Sequence, residues 1–165
     1  MCRTFNSVLA VTAVAGLGSV GFMKFRAPSI EGVWRSVAIT VTGPGARTIS
    51  PLQPNLAIIT AKHYSRLEIH ADGPRPALAD PAKASAEELR EVWGPVASEA
   101  GTYETSRGNV LTTHPVVAKN PAAMEAGSYT AYAYRLAGDT LWLTVQRNQQ
   151  GPVPNPVTVK LTRVE

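Results

Sequence analysis

Apolar and polar side chains alternate along most of the chain from Glu31 onward, in short runs rich in β-branched and aromatic residues. Such runs favour half-buried strands, and the Gly- and Pro-rich segments between them favour turns. Eight runs fit this description and are the predicted strands: 32–42, 55–60, 63–70, 100–105, 109–117, 128–136, 140–147 and 157–164. The pattern predicts an all-β chain.

The connections between these runs alternate between long and short. The short ones, 61–62, 106–108 and 137–139, have the length and composition of hairpin turns. In an up-and-down antiparallel meander, alternate connections lie at opposite ends, so the tight turns meet at one end and the long loops at the other. Eight such strands can close into a barrel that holds one small ligand. The loop order therefore predicts an eight-stranded up-and-down antiparallel β-barrel with a closed end and a mouth.

One long connection, between the third and fourth predicted strands, contains the helix signal SAEELREVWGP. Ser85 is a suitable N-cap, and Glu88 follows at the third helical position, as in a capping box. Leu89, Val92 and Trp93 share one face and form an apolar stripe. We expect this short helix to dock on the barrel, either as a lid over the mouth or as a structural flap against the wall.

Composition and charge exclude some classes of function. A chain of 165 residues with 44% hydrophobic and 17% charged residues is typical of one folded domain. The formal charge is +4, but three of the 16 basic residues (Arg3, Lys24 and Arg26) lie in the first 27 residues, which contain no acidic residue. The remainder therefore has 13 basic and 12 acidic residues. Since no basic run or aromatic-basic interleaving occurs, we do not expect nucleic acid as a partner.

The N-terminus has the pattern of an export signal. One Arg precedes an apolar, small-residue stretch over 7–23, and Ala13-Val14-Ala15 fits the small-x-small cleavage rule. An uncleaved membrane anchor and a cytoplasmic protein with a misassigned start are the alternatives. We predict a signal peptide or anchor over 1–27, a barrel domain over 28–165, and a periplasmic or secreted location. Because Cys2 is the only cysteine, the domain has no disulfide.

Two motifs at the predicted closed end indicate a family. Gly32-x-Trp34 opens the first strand in EGVWRS, and Arg163 ends the last strand in VTVKLTRVE. The chain resembles the lipocalins and, more specifically, the bacterial lipocalin-like domain proteins. The matching segments are GVWRSVA, HYSRLEI, GPRPALAD, GTYETSRGNVLTTHPVVAKNP, GDTLWLT and TRVE, and they cover nearly all of 30–165. The resemblance implies a barrel with a cavity and an arginine lying across the tryptophan ring, a favourable cation–π geometry. It implies no reaction.

If Trp34 and Arg163 face inward, strand alternation assigns the other side chains to a face. The predicted inward sets are Trp34, Ser36, Ala38 and Thr40 in the first strand, Leu141, Leu143 and Val145 in the seventh, and Val157, Val159, Leu161 and Arg163 in the last. The same alternation places Arg147 near the mouth and turns Trp142 outward.

The stretch HYSRLEIH, residues 63–70, carries two of the three histidines. By the apolar criterion, Ser65, Leu67 and Ile69 face inward. Tyr64, Arg66, Glu68 and His70 then face solvent. The alternative is a polar interior lined by Arg66, Glu68 and His70, with His70 nearest the mouth and small first-strand residues leaving room opposite.

The predicted ligand-binding residues combine these walls with polar groups near the mouth. They are Leu67, Ile69, Tyr103, His114, Tyr132, Tyr134 and Arg147. His114 is also a weak candidate for general acid/base catalysis, with a structural histidine as the alternative. Pro115 beside it cannot donate a ladder hydrogen bond, so we expect an irregular strand there. Tyr132 and Tyr134 share a face and offer flat walls with phenolic donors, or ordinary packing.

Three classes of function remain open. The first is an exported lipocalin-like barrel that binds a small, largely apolar molecule; if Arg147 faces inward, an acidic head group on that molecule fits. The second is a cofactor-free isomerase, cyclase or hydratase that uses the same cavity. The third is an envelope interaction module with a filled core. We expect no cofactor, a monomer or homodimer, and membrane contact only through an uncleaved N-terminal segment.

A metal site is not expected either. The three histidines fall on different faces and at different ends of the predicted barrel. Glu68, His70 and His114 form the only set that would suit a metal, and convergence of three such ligands would be required.

Overall fold

The computed structural model of the protein describes residues 29–165, and the predicted export or anchor segment over 1–27 lies outside them. Within that range, one helix and a series of strands follow in chain order. The strands are β1 (Gly32–Val41), β2 (Arg47–Ile49), β3 (Asn55–Ile59), β4 (His63–Ile69), β5 (Val96–Ser106), β6 (Val110–Ala118), β7 (Thr130–Ala137), β8 (Thr140–Asn148), β9 (Gly151–Pro152) and β10 (Val157–Arg163), and helix α1 is Ala86–Trp93. No helix among the described residues has the length and apolar character needed to cross a membrane.

Eight of the strands form a closed antiparallel barrel. The order around the barrel is β10-β1-β3-β4-β5-β6-β7-β8, and the pairing of β8 with β10 closes it. The short strands β2 and β9, which the sequence did not predict, pair with the mouth ends of β1 and β8. The predicted fold class is confirmed, with α1 between the third and fourth barrel strands, here β4 and β5. Strand β5 begins at Val96 rather than at residue 100.

The end that carries the tight turns is sealed by the predicted tryptophan. Trp34 has no solvent exposure, and its Nε1 donates a hydrogen bond of 2.8 Å to the Ile30 carbonyl. The guanidinium carbon of Arg163 lies 4.2 Å from the centre of the indole ring. Arg163 also donates to the carbonyls of Ser29 and Glu31 at 2.7 and 2.6 Å. The predicted arginine-over-tryptophan contact is therefore confirmed.

Gly32 allows the chain to approach this seal closely. Its φ of 144° lies in a region that side chains rarely adopt. A Cβ at this position would overlap the Arg163 guanidinium and the Glu165 carbonyl oxygen. Glycine is thus required for both the backbone conformation and the contact with the last strand.

A β-bulge in β1 corrects part of the predicted inward set. The register between β1 and β10 shifts between Ser36 and Ala38, so that Ile39 lies opposite Val159. Because one extra residue inverts the alternation beyond it, Ile39 lines the mouth. Ser36 is buried as predicted, but the inward assignment of Ala38 and Thr40 is wrong, and Thr40 is exposed.

A second bulge, in β8, overturns the prediction for Arg147. Tyr132 pairs with Val145, whereas its neighbour Ala131 pairs with Arg147, which leaves Gln146 as the extra residue. Arg147 is consequently exposed rather than inward. The same pairing irregularity occurs between β5 and β6, where Gly101 lies opposite Pro115. The predicted irregular strand beside this proline is confirmed.

Helix α1 has the predicted N-terminus but does not dock as expected. The Ser85 hydroxyl accepts from the Glu88 backbone N–H at 3.2 Å, and the Glu88 carboxylate accepts from the Ser85 N–H at 2.8 Å. None of residues 86–93 is buried, and Trp93 is 57% exposed. The helix is held at its C-terminal end by polar contacts, including the Lys119 ammonium on the Trp93 carbonyl. Leu89 and Val92 are half-buried whereas Trp93 is exposed, so the apolar stripe is only partly covered and the predicted docking is incomplete.

Candidate ligand cavity and its charged layer

The barrel contains two adjoining chambers. An inner chamber of about 60 Å³ lies towards the closed end, and a wider chamber of about 630 Å³ opens at the mouth. Arg66, Glu68, Tyr132 and Val159 line both, so the two chambers adjoin at these side chains. The volume of the outer chamber is typical of small-molecule sites. The apolar walls are formed by Ala57, Ile59, Leu111, Leu143, Val159 and Leu161 within and by Ile39, Ile49, Leu52, Val145 and Val157 at the mouth.

A set of interacting polar side chains crosses the junction of the chambers, and we call it the charged layer: Arg66, Glu68, His70, Glu99 and Tyr64. The Arg66 Nε lies 3.1 Å from Glu99 Oε1, and its Nη1 lies 3.7 Å from Glu68 Oε2. The Tyr64 hydroxyl donates to Glu99 Oε1 at 3.0 Å. The His70 Nε2 lies 3.0 Å from Glu68 Oε2. The layer therefore links both ion pairs through one arginine.

Strand register explains why these groups meet. Arg66 on β4 lies directly opposite Glu99 on β5, so their side chains leave the sheet on the same face. On its other side Arg66 faces Ala57 of β3, whose small side chain leaves space for the guanidinium. The pair is partly buried, with 35% of the Arg66 side chain and 15% of the Glu99 side chain exposed. Mutual neutralisation makes this burial tolerable.

Arg66 and the buried tyrosines have raised pKa values. Burial lowers the pKa of Arg66, but Tyr132, Glu99 and Glu68 outweigh it and raise that pKa above its ordinary value. Burial, followed by the charge and hydrogen bond of Glu99, raises the pKa of Tyr64. Burial is also the main cause of the raised pKa of Tyr132. At neutral pH the cavity therefore contains a charged arginine and neutral phenols, which are hydrogen-bond donors rather than bases.

Alkaline unfolding should report the buried phenols. Because the pKa of Tyr64 is raised in the folded protein, its contribution to stability is complete below the unfolded value of about 10 and is lost as pH rises above it. The wild-type free energy of unfolding should fall between about pH 10 and 11.5. In Tyr64→Phe it should fall less steeply, and the difference between the two slopes should be up to about 1.4 kcal/mol per pH unit. Urea titrations at pH 8, 10 and 11 measure this. Equal slopes in the two proteins would contradict it.

The predicted faces of HYSRLEIH are inverted in the structure. Tyr64 is buried, and Arg66 and Glu68 line the cavity, whereas Leu67 is 51% exposed and pairs with Leu56 on the outer surface. The apolar criterion failed because Arg66, Glu68 and Glu99 neutralise one another inside the barrel, which makes a polar inward face stable. The apolar residues of the same strand therefore lie on the outer face. The alternative of a polar interior, with His70 at the mouth, is confirmed by the lining of the two chambers.

The predicted wall residues lie at different depths. Tyr132 is 8% exposed and lines both chambers, while Tyr103 lines the inner one. Ile69, at the end of its strand, lines the mouth. Tyr134 packs against the core near the closed end and does not line either chamber. Leu67, on the outer face, is not a wall residue.

His114 and Arg147, the predicted polar anchors, lie outside the cavity. The side chain of His114 is 46% exposed, and its Nε2 is 3.9 Å from the Glu104 carboxylate. Its neighbour Thr113 is the buried, inward-facing residue. The structure therefore separates His114 from Glu68 and His70. Within residues 29–165 no three His, Cys, Asp or Glu side chains are arranged to hold a metal.

Sequence reasoning missed Glu99, Tyr64 and Thr113 as cavity groups. Glu99 was placed in the long loop before the predicted strand 100–105, although the alternation in VASEAG continues the strand pattern back to Val96. Tyr64 was assigned to solvent with the rest of its face. Thr113, which donates to the Thr130 carbonyl at 3.3 Å, gave no signal of its own.

These features define the class of protein: a closed eight-stranded antiparallel β-barrel with a cavity that is open at one end. Comparison of the sequence with protein families and with curated proteins finds no match.

Proposed function

We propose that this protein is a lipocalin-like barrel that binds a small, largely apolar molecule in its cavity. The adjoining chambers carry the proposal, because their walls are mostly apolar and the charged layer places polar groups where the two chambers meet. Binding sites for small molecules commonly combine apolar walls with a few convergent polar groups. In this proposal the apolar part of the ligand contacts the walls, and its polar part contacts the charged layer.

The other two classes of function have less support. The enzyme hypothesis gave the acid/base role to His114, which lies on the outer surface. The tyrosines that do face the cavity have raised pKa values and stay protonated at neutral pH. An interaction module with a filled core would leave no space for a ligand, whereas the outer chamber alone has about 630 Å³.

We also propose that the protein is exported, on the N-terminal sequence pattern alone. This proposal concerns residues 1–27, which lie outside the described range. Whether the barrel acts as a monomer or a homodimer stays a prediction.

A neutral fluorescent probe tests whether the cavity binds apolar molecules. N-phenyl-1-naphthylamine should bind the full-length protein with enhanced emission, and native mass spectrometry should show any molecule that co-purifies. Val159→Trp should weaken probe binding by about tenfold or more, because the larger side chain occupies the junction of the two chambers.

The matched control is Lys160→Trp, which places the same side chain at the next position, on the exposed face of β10. Its affinity for the probe should stay within about twofold of wild type. Val145→Phe at the mouth is a second filling variant in case Val159→Trp does not fold. Equal affinities in wild type and a folded filling variant would contradict binding in the cavity.

A further inference from the structure

The charges that line the cavity are unbalanced. The charged groups of the two chambers, apart from His70, are Arg47, Arg66, Glu68, Asp72 and Glu99. Arg47 and Asp72 are exposed at the mouth and offset each other, so the imbalance among the partly buried charges is one arginine, Arg66, against the two carboxylates of Glu68 and Glu99. A bound molecule therefore meets an environment that favours positive charge.

The arginine of the charged layer is already engaged by its neighbours. Arg66 directs Nε to Glu99 and Nη1 towards Glu68. A ligand carboxylate would have to compete with both of these side chains for the same guanidinium. It would also lie next to two like charges, which disfavours it.

The two carboxylates, in contrast, each keep one oxygen available. All contacts of Glu99 fall on Oε1, which receives the Arg66 Nε and the Tyr64 hydroxyl. All contacts of Glu68 fall on Oε2, which faces Arg66 and His70. Among residues 29–165 no hydrogen bond is donated to Glu99 Oε2 or Glu68 Oε1, and no buried side-chain oxygen lacks a partner, so both oxygens keep surface that is open to solvent or to a ligand. Accessible acceptors beside apolar walls suit a ligand that donates hydrogen bonds.

We propose that the charged layer binds the ammonium head group of an alkyl amine, whose hydrocarbon part contacts the apolar walls. An ammonium has three donors and no acceptor, so it complements the two free carboxylate oxygens without displacing Arg66. This inference rests on the proposed function, because a molecule must first occupy the cavity. It also reverses the acidic head group that the sequence suggested, since Arg147 is exposed on the outside of the barrel.

Competition among ligands of one chain length tests the inference. Octylamine, 1-octanol and octanoate, each below its micellar concentration, displace N-phenyl-1-naphthylamine from the full-length protein at pH 7.5. Octylamine should reach half-displacement at a concentration at least about tenfold lower than octanoate, with the alcohol between them, as expected for hydrogen bonds to charged groups. Octanoate binding as tightly as octylamine would overturn the amine inference and leave the apolar cavity intact.

Variants identify the groups responsible. Glu99→Gln and Glu68→Gln should each reduce the preference for octylamine over octanoate by at least about threefold, with a smaller change in displacement by 1-octanol, which donates one hydrogen bond and carries no charge. Glu104→Gln, a carboxylate on the outer face that is 74% exposed, is the control and should keep the full preference. An unchanged preference in both cavity variants would overturn the assignment. Failure of the probe to bind wild type would instead refute the proposed function and the inference with it.

Discussion

Replacing Arg66 with methionine should destabilise the protein by about 2–3 kcal/mol at pH 7, because it leaves two largely enclosed carboxylates without their shared cation. The side chains of Glu68 and Glu99 are only 14% and 15% exposed, so water replaces the guanidinium poorly. Methionine preserves much of the arginine's apolar volume, which makes the missing charge the main difference. Urea unfolding followed by far-UV circular dichroism measures the loss.

Removal of the two carboxylates should reveal the origin of that loss. Glu68→Gln and Glu99→Gln remove the unpaired negative charges, so the deficit caused by Arg66→Met should shrink when it is introduced into this double variant. Arg147→Met is the control, because that arginine is exposed and its replacement should change the free energy of unfolding by no more than about 0.5 kcal/mol. Equal deficits in Arg66→Met and Arg147→Met, or a deficit of Arg66→Met that is as large in the double variant as in wild type, would contradict the role assigned to the charged layer.

Truncating Trp34 to alanine should cost about 3–5 kcal/mol of folding free energy, the largest single-residue effect that we expect. The indole is fully buried, and its removal leaves a cavity at the closed end. It also removes the hydrogen bond to Ile30 and the ring beneath the Arg163 guanidinium. Since domains of this size are commonly stable by only about 5–15 kcal/mol, the variant should be close to unfolding at 37 °C.

The chain provides its own control for this variant. Trp142 also lies beneath an arginine, with the Arg135 guanidinium carbon 3.3 Å from the ring centre, but it is partly exposed on the outer face as predicted. Trp142→Ala should therefore cost only about 1 kcal/mol, the cation–π contact and part of the ring's burial. Chemical denaturation of both variants separates the two contributions. Similar losses would show that the closed end is not the stabilising element proposed here.

The architecture was predictable because it depends on many residues at once. Eight alternating runs and the regular order of short and long loops give the same answer, and an error of a few residues in one strand does not alter it. The Trp34–Arg163 contact was predictable for a different reason, namely a motif at each end of the barrel domain. Both predictions use features that extend over the whole chain.

The faces of individual strands were less predictable. A bulge adds one residue and inverts every side chain beyond it, and nothing in the residues around Ser36 or Gln146 distinguishes these positions from regular strand. The candidate site was missed for a second reason. The alternation argument assigns the more apolar face of a strand to the interior. On β4 the inward face is polar, and it is stabilised by the ion pair between Arg66 and Glu99, which lies 33 residues further along the chain. A pairwise term of this kind is invisible to a single-strand pattern.

The sealed end also has a kinetic consequence. With Trp34 and Arg163 closing the bottom of the barrel, the ligand proposed above would have to enter and leave through the same opening. By microscopic reversibility, a change in the mouth loops that raises the barrier to arrival raises the barrier to departure equally, provided it makes no contact with the bound molecule. Residence time can then be altered by the loops while the equilibrium constant stays where the walls and the charged layer have set it. In the proposed function, the walls and the charged layer set the affinity, and the mouth loops set the rate of exchange.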